Sequence, residues 1–442
     1  MTYDAIIVGA RCAGAPLARF LARAGKKVAL VDSATFPSDQ PMSTHFIHPY
    51  GMRVLEDLGL AERIRDISPP VNLMRQDVGG HIVEFRINPG GSCPRRIDLD
   101  QVLLDGAREA GAEVRLGERV IEIIREKSRV VGVVTASREA TRHELRGNVV
   151  VGADGRHSTI GDLVEAERYF EYVGPRGAYW AYWPRPKFFD EAPYNGATML
   201  RFVGEHFQFV FPTNRDQLIL GVGFPREELA TWKTDPHAKL LEHLRSTPFF
   251  KPLVEAQPIS KTLGLTKAEY FFRRAAGPGW ALVGDAGLFK DPTPGLGITD
   301  ALRDAKNLAA AIIEGGDQAL ERYWRQRDVD SIELFNFARD MGELFYNNAL
   351  TRMLFAKLET DPELGQRMVR VIEREISPYG AFKPSEVVRW TFGALLRGKL
   401  GVLPAFFRAG FRGAQVQKEL KRRRALLVPA LPASPVLAEK AA

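Results

Sequence analysis

Three aspartates stand where a short apolar run meets glycine: Asp32 after Lys27–Val31, Asp154 after Asn148–Gly152, and Asp285 after Trp280–Gly284. A carboxylate at a strand end can accept hydrogen bonds from the hydroxyls of a sugar or polyol. Glycine-punctuated turns accompany them, at Gly9 to Gly14, Gly152 to Ser158 and Gly284 to Gly297. In the first, Tyr3 to Gly9 reads as a buried strand, Pro16 to Ala24 as a helix stopped by Gly25, and Lys27 to Val31 as a second strand delivering Asp32. That unit places a pyrophosphate on a helix N-terminus and a ribose hydroxyl on a carboxylate. The middle glycine of the usual G-x-G-x-x-G is Arg11 here. Its guanidinium can lie along the phosphates or point to solvent. The three turns together ask for an extended ligand, touched along its length.

The elements that must position these turns follow from pattern. Gly51 to Leu58 reads as a helix, and residues 70–92 as a hairpin around Gly79-Gly80. A helix opens near Arg96 and closes before Gly111, and short strand-like runs fill Glu113 to Arg146. From Tyr169 to Phe272 aromatics alternate with polar residues, as in Ala178 to Trp183, Thr198 to Val203, Phe207 to Phe211 and Gln217 to Gly223. These predict an antiparallel sheet in a second lobe. Thr299 to Ile313 predicts a long helix, and Leu320 to Leu427 a mostly helical remainder.

Composition narrows the classes. With 442 residues, 45% of them apolar and 26% charged, the chain reads as a globular protein of more than one lobe. Cys12 and Cys93 make no disulfide framework, and the first strand begins at residue 3, so a cytoplasmic location is expected. The net charge of +7 is uneven: residues 392–442 hold ten Lys/Arg and two Asp/Glu, leaving the body near neutral. A neutral body argues against nucleic acid as a partner. His45 and His48 precede Pro49 with no cysteine or carboxylate cluster beside them, so no metal is expected.

The motifs resemble the flavoprotein monooxygenase superfamily of the para-hydroxybenzoate hydroxylase type, which includes geranylgeranyl reductases and flavin halogenases. The matching residues are Ile7-Val8-Gly9 and Gly14 with Asp32; Val151-Gly152-Ala153-Asp154-Gly155 with Ser158; and Gly284-Asp285-Ala286 with Pro292, Gly295, Gly297 and Asp304-Ala305. Arg96-x-x-Leu99-Asp100 resembles the arginine helix that touches the flavin. The resemblance implies an α/β fold in which a Rossmann-type FAD-binding domain is interleaved with an antiparallel β-sheet substrate domain, followed by a helical C-terminal region. The implied boundaries are 1–168, with a small antiparallel insertion near 70–92, then 169–272 for the substrate domain, 273–330 for the rest of the FAD domain and 331–428 for the helices. Residues 429–442, rich in proline and alanine, are expected to be disordered.

The resemblance implies FAD as cofactor, held by Gly9, Ala10, Arg11, Ala13, Gly14, Asp32, Ser33, Arg96, Val120, Asp154, Asp285, Gly295, Leu296, Gly297 and Ile298. It implies NAD(P)H as a transient reductant, or a separate reductase, since no second glycine-rich βαβ unit is present. Molecular oxygen would react through a flavin C4a-hydroperoxide to hydroxylate or epoxidise a substrate. Three positions depart from the family pattern: Arg11 for glycine, Leu288 for histidine and Gly161 for arginine. Asp154 has a second reading, as a turn acid capping the next helix.

Candidates facing a substrate are His45, Tyr179, Trp180, Tyr182 and Trp183, with His48 and His206 behind them. The aromatic strand points to an apolar small molecule, aromatic or polyketide- or isoprenoid-like. No catalytic acid or base is identified. A prenyl-chain reductase has the same flavin motifs and is the competing enzyme. A halogenase fits less well, because Trp180-Ala-Tyr-Trp183-Pro184 has the wrong spacing for that subclass and Lys26-Lys27 open the second strand. A non-enzymatic alternative, a flavin-binding scaffold docked on the membrane, rests on the basic, apolar stretch 392–426.

Overall fold

The computed structural model describes residues 2–40, 42–343 and 348–427; the tail expected to be disordered lies outside the described residues. Thr2–Val8, Gly14–Arg23 and Val28–Asp32 form the opening strand, helix and strand. Thr2–Val8 lies between Val28–Asp32 and Arg142–Gly152, and Trp280–Leu282 joins the far side of the latter, all parallel. Val8 pairs with Gly152 and Gly152 with Leu282, so the three ligand-type turns leave adjacent strand ends at one level. In an open parallel sheet that carboxyl edge is where ligands bind.

The second lobe is a seven-stranded sheet. Its order is Leu263–Leu265, Arg176–Pro184, Gln217–Pro225, His206–Thr213, Thr198–Val203, Pro70–Val78 and His81–Ser92. The hairpin expected as an insertion in the first lobe is therefore the edge of this sheet. Its strand Pro70–Val78 pairs parallel with Thr198–Val203, with Met74 opposite Thr198. A non-local parallel pairing leaves no mark in the local pattern, and the sheet is mixed rather than purely antiparallel.

Both faces of this sheet are buried, and side-chain alternation sorts them. Trp180, Tyr182, Leu200, Phe209 and Phe211 share one apolar cluster, while Tyr179, Trp183, Val210, Leu220 and Phe224 share another. The second cluster is covered by the helix Pro236–Arg245 and by Trp232, whose ring stacks on Phe224 at 4.1 Å.

The helix Gly297–Glu314 returns across the first lobe, and among the described residues five α-helices follow: Asp317–Gly342, Ala349–Thr360, Pro362–Ile372, Pro384–Leu396 and Val402–Arg424. The last is fastened to the body near its end. Leu420 enters an apolar cluster with Phe272 and Phe335, and Arg423 reaches the fully buried Asp328. Asp328 also accepts from the neighbouring Arg327 at 2.7 Å and from the Tyr169 hydroxyl at 2.5 Å. One carboxylate thus compensates two buried guanidinium groups. Asp328→Ala is expected to destabilise the fold by about 3–5 kcal/mol, since Arg327 would stay buried without its carboxylate and Arg423 would keep only Glu419, at 3.0 Å; urea unfolding of the variant against the parent measures it.

Candidate flavin and substrate sites

The cleft at the carboxyl edge of the parallel sheet has a volume of ≈ 610 Å³. Gly9, Arg11, Ala13, Asp32 and Ser33 line one end of it, with Val120. Asp154 and Arg96 line the middle, and Asp285, Gly295, Gly297 and Ile298 the far end. Ala10, Gly14 and Leu296 are not on the wall, and each has another task. The Ala10 N–H donates to Asp32 Oδ2 at 2.8 Å, and the Ala34 N–H to Oδ1 at 2.8 Å, which fixes the carboxylate while leaving lone pairs free. A Cβ on Gly14 would collide with the Gly9 carbonyl, and Gly9 itself has φ +105° against the Ala153 backbone. Leu296 is the buried residue at which the helix Gly297–Glu314 begins.

The charge pattern suits an extended anion. Asp100 is fully buried and accepts two hydrogen bonds from Arg96, at 3.0 and 2.9 Å, and one from Arg11 at 3.0 Å. Two guanidinium groups on one carboxylate leave a net positive charge beside the glycine turn. Arg11 also donates to the Ser38 hydroxyl at 2.8 Å and lies over the Phe36 ring, so it neither points to solvent nor stands free for phosphate alone. Cys12 donates its thiol to Asp100 at 3.3 Å, and burial pushes that thiol up, making it an inert packing group.

Two helices, Gly14–Arg23 and Gly297–Glu314, begin at this cleft, and neither has a side-chain cap among the described residues. Their first amides remain available to a ligand, and the helix dipoles favour an anion there. Gly295, at φ +68°, makes the turn that aims the second helix. These features fit FAD, for which the first helix would hold the pyrophosphate, Asp32 the ribose, Asp285 the ribityl hydroxyls, and the amides at Gly297 and Ile298 the isoalloxazine. Burial raises the Asp285 carboxyl from its ordinary value, with Lys290 and Arg96 opposing the shift.

Asp154 behaves as a turn acid. Its Oδ1 accepts from the Ser158 hydroxyl at 2.5 Å and its Oδ2 from the Ile160 N–H at 3.0 Å, although it still borders the cleft. At Gly161, where the family pattern has arginine, a Cβ would collide with the guanidinium of Arg273. Arg273 comes from the strand Glu269–Arg273 and pairs with Asp162 at 3.1 Å. The cation is present but supplied from elsewhere in the chain.

The expected aromatic wall divides. Trp180 lines the cleft, and Tyr182 lies on the same face, its hydroxyl 2.6 Å from His45 Nε2 and its ring under Arg95 at 3.9 Å. Tyr179 and Trp183 belong to the opposite cluster and do not face the cleft, because successive residues of a strand alternate. His206 pairs with Glu228 at 2.8 Å, also away from it. Phe46, Leu200, Phe209 and Phe211 take the places left; the last three share the sheet face of Trp180, while Phe46 comes from the loop before Pro49 and no strand pattern marks it.

Next to the flavin cleft is a second cavity of ≈ 270 Å³, walled by the substrate sheet and the C-terminal helices. Phe46, Leu200, Phe211, Thr293 and Gly295 border both spaces. Its wall is mostly apolar, with Met74, Phe85, Phe337, Phe355, Leu358 and Met368 prominent and Gln76, Asp340 and Glu373 among the polar members. His48 is on it, fully buried, with Nε2 3.1 Å from the Pro294 carbonyl. Since a carbonyl only accepts, Nε2 carries the proton.

Fold and cleft together define an FAD-dependent oxidoreductase. Residues 2–331 match the family described as FAD binding domain, and the chain belongs to that family, within the superfamily of the para-hydroxybenzoate hydroxylase type that holds monooxygenases and halogenases. It is 27% identical over 375 residues to digeranylgeranylglycerophospholipid reductase 1 of Methanopyrus kandleri, covering 78% of this chain and 91% of that protein. It is 27% identical over 334 residues to the menaquinone reductase of Mycobacterium tuberculosis, covering 73% and 78%. The solved structure of the flavin-dependent brominase Bmp2 superposes with a TM-score of 0.73 at 20% identity, covering 90% of this chain and 100% of that one.

Two predictions follow from the geometry. Asp32→Ala is expected to raise the FAD dissociation constant by roughly tenfold or more, and Arg11→Gly by less, because Asp100 keeps Arg96; titrating apoprotein with FAD ranks them. The reverse order would make Arg11 a phosphate ligand. Burial brings the His48 imidazole down to about 4, from 6.5. The unfolded chain then binds the extra proton below pH 6.5, so the stability contributed by neutral His48 is complete above 6.5 and lost as pH falls toward 4. The free energy of unfolding should fall across that window by up to about 1.4 kcal/mol per pH unit, with the melting temperature falling in step, and His48→Gln should flatten part of the slope.

Proposed function

We propose that the protein is an NAD(P)H-dependent FAD monooxygenase that places one oxygen atom on an apolar small molecule, aromatic, polyketide- or isoprenoid-like. The apolar cavity that shares Phe46, Leu200, Phe211, Thr293 and Gly295 with the flavin cleft carries this reading. Bound FAD supplies the redox chemistry, taking electrons from a reduced nicotinamide and passing them to oxygen.

The chain contributes binding, orientation and exclusion of water. The uncapped amides at Gly297 and Ile298 stabilise negative charge at the end of the cleft nearest the cavity. Phe46 and Phe211, with ring centroids 6.3 Å apart, form the lip between the two spaces and orient an apolar substrate. His48 Nε2–H donates to the Pro294 carbonyl and so holds the 294–295 turn rather than offering an acid to the substrate.

A second reading, reduction of a prenyl chain, is favoured by the same apolar walls and by the two reductases to which the chain is similar. The two differ in their oxidant. With isotopically labelled oxygen gas, NAD(P)H and a panel of prenylated quinones and free isoprenoids, the monooxygenase consumes oxygen with substrate and labels the product. Turnover that continues without oxygen and yields a more saturated chain replaces it with the reductase. Bromide should change neither rate nor product, since Lys26 and Lys27 lie at the opposite end of the parallel sheet from the cleft. Leu200→Trp, filling the shared wall, is expected to keep flavin content and lower turnover by roughly tenfold or more.

A further inference from the structure

We propose that the outer face of the helices Pro384–Leu396 and Val402–Arg424 docks on a phospholipid bilayer carrying anionic headgroups. The proposal is independent of whether the flavin oxygenates or reduces. Val388, Phe392 and Leu396 are 53%, 62% and 74% exposed and recur every fourth residue, so they form one stripe along the first helix. Leu400 stands in the turn, and Phe407 and Phe411, 67% and 68% exposed, continue on the second helix. Large apolar side chains in such a group are exceptional on a protein surface and mark a place of contact.

The charge around the stripe selects the partner. From Val387 to Lys418 the sequence holds Arg389, Arg397, Lys399, Arg408, Arg412 and Lys418 and no Asp or Glu. Arg412 turns inward to Asp340 and Glu343, while Arg389, Arg397, Lys399 and Arg408 are exposed. Aromatic and aliphatic side chains interleaved with exposed cations that have no ion pair among the described residues match the interface of an anionic leaflet. No helix among the described residues is long and apolar enough to cross a membrane, so the contact is with the surface.

Continuity with the site supports the same partner. The inward faces of these helices, through Ala394, Val402 and Ala409, pack on Leu350 and Leu354. Leu350, Leu354 and Ala409 also line the apolar cavity. Ala409 therefore stands between the cavity and the surface, with Phe407 and Phe411 two residues to either side. A lipophilic substrate dissolved in the bilayer would meet the cavity across one layer of side chains.

The test uses the full-length flavin-loaded protein and sedimentation with phosphatidylcholine vesicles, with or without roughly one third phosphatidylglycerol. Binding is expected to the anionic vesicles at low salt, weakening as salt rises. The variant F392S/F407S/F411S should lose roughly tenfold or more of that binding, with flavin absorbance and melting temperature kept. R389Q/R397Q/K399Q/R408Q should lose the preference for phosphatidylglycerol. Absence of binding by the parent, or equal binding by the serine variant, overturns the proposal. So does a parent that is dimeric by light scattering, becomes monomeric in the serine variant and ignores vesicles, which would assign the face to a second copy.

Discussion

The arrangement of the site depends on Asp300, a buried carboxylate in the first turn of the helix Gly297–Glu314. It meets the Lys290 ammonium from the loop that borders the flavin cleft and the Arg374 guanidinium from just beyond the helix Pro362–Ile372, with Arg303 at 3.8 Å. Three distant segments are thereby fixed to one point. The position is electrostatically apt, since a negative side chain is stabilised in the first turn of a helix. Burial, with Arg374 and Arg303 alongside, pushes the Lys290 amine down; burial and Arg303 bring Arg374 down to about 9. Such a cluster holds only while its members compensate one another, so the C-terminal helices are part of the flavin site rather than an appendage to it.

The same economy governs the other end of the cleft. Asp100 ties Arg11 and Arg96 without using up their charge, and Asp32 is oriented by two backbone amides rather than by a cation. Where cations are needed they are clustered on one carboxylate, and where hydroxyl recognition is needed the acid is left electrostatically bare. An extended dianion with sugar hydroxyls on either side asks for that distribution.

The sequence made the flavin cleft legible because its signals are local. A strand end, a glycine turn and an acid lie within a few residues of one another, and the parallel register then brings Val8, Gly152 and Leu282 level. The substrate side was less legible, for two physical reasons. Both faces of the second sheet are buried, so alternation separates Tyr179 and Trp183 from Trp180 and Tyr182 without saying which pair meets the flavin. And the decisive contacts are distant in sequence: Met74 against Thr198, and Phe46 against Phe211. The apolar cavity falls in this second class, since its wall draws on the substrate sheet and on helices beyond residue 331.

Departures from the family pattern carry the same lesson in reverse. Gly161 lacks the usual arginine, yet Arg273 fills the space a side chain would take there and finds Asp162. Arg11 replaces a glycine, and its bulk is accommodated because the side chain leaves the backbone path toward Ser38 and Asp100. The two departures act in opposite senses. Arg11 adds a cation that Asp100 shares with Arg96 beside the glycine turn, whereas at Gly161 the cation missing from the motif is supplied by Arg273 from another strand. A motif read one position at a time registers two faults; the packed structure absorbs one added charge and restores one that the motif lacks.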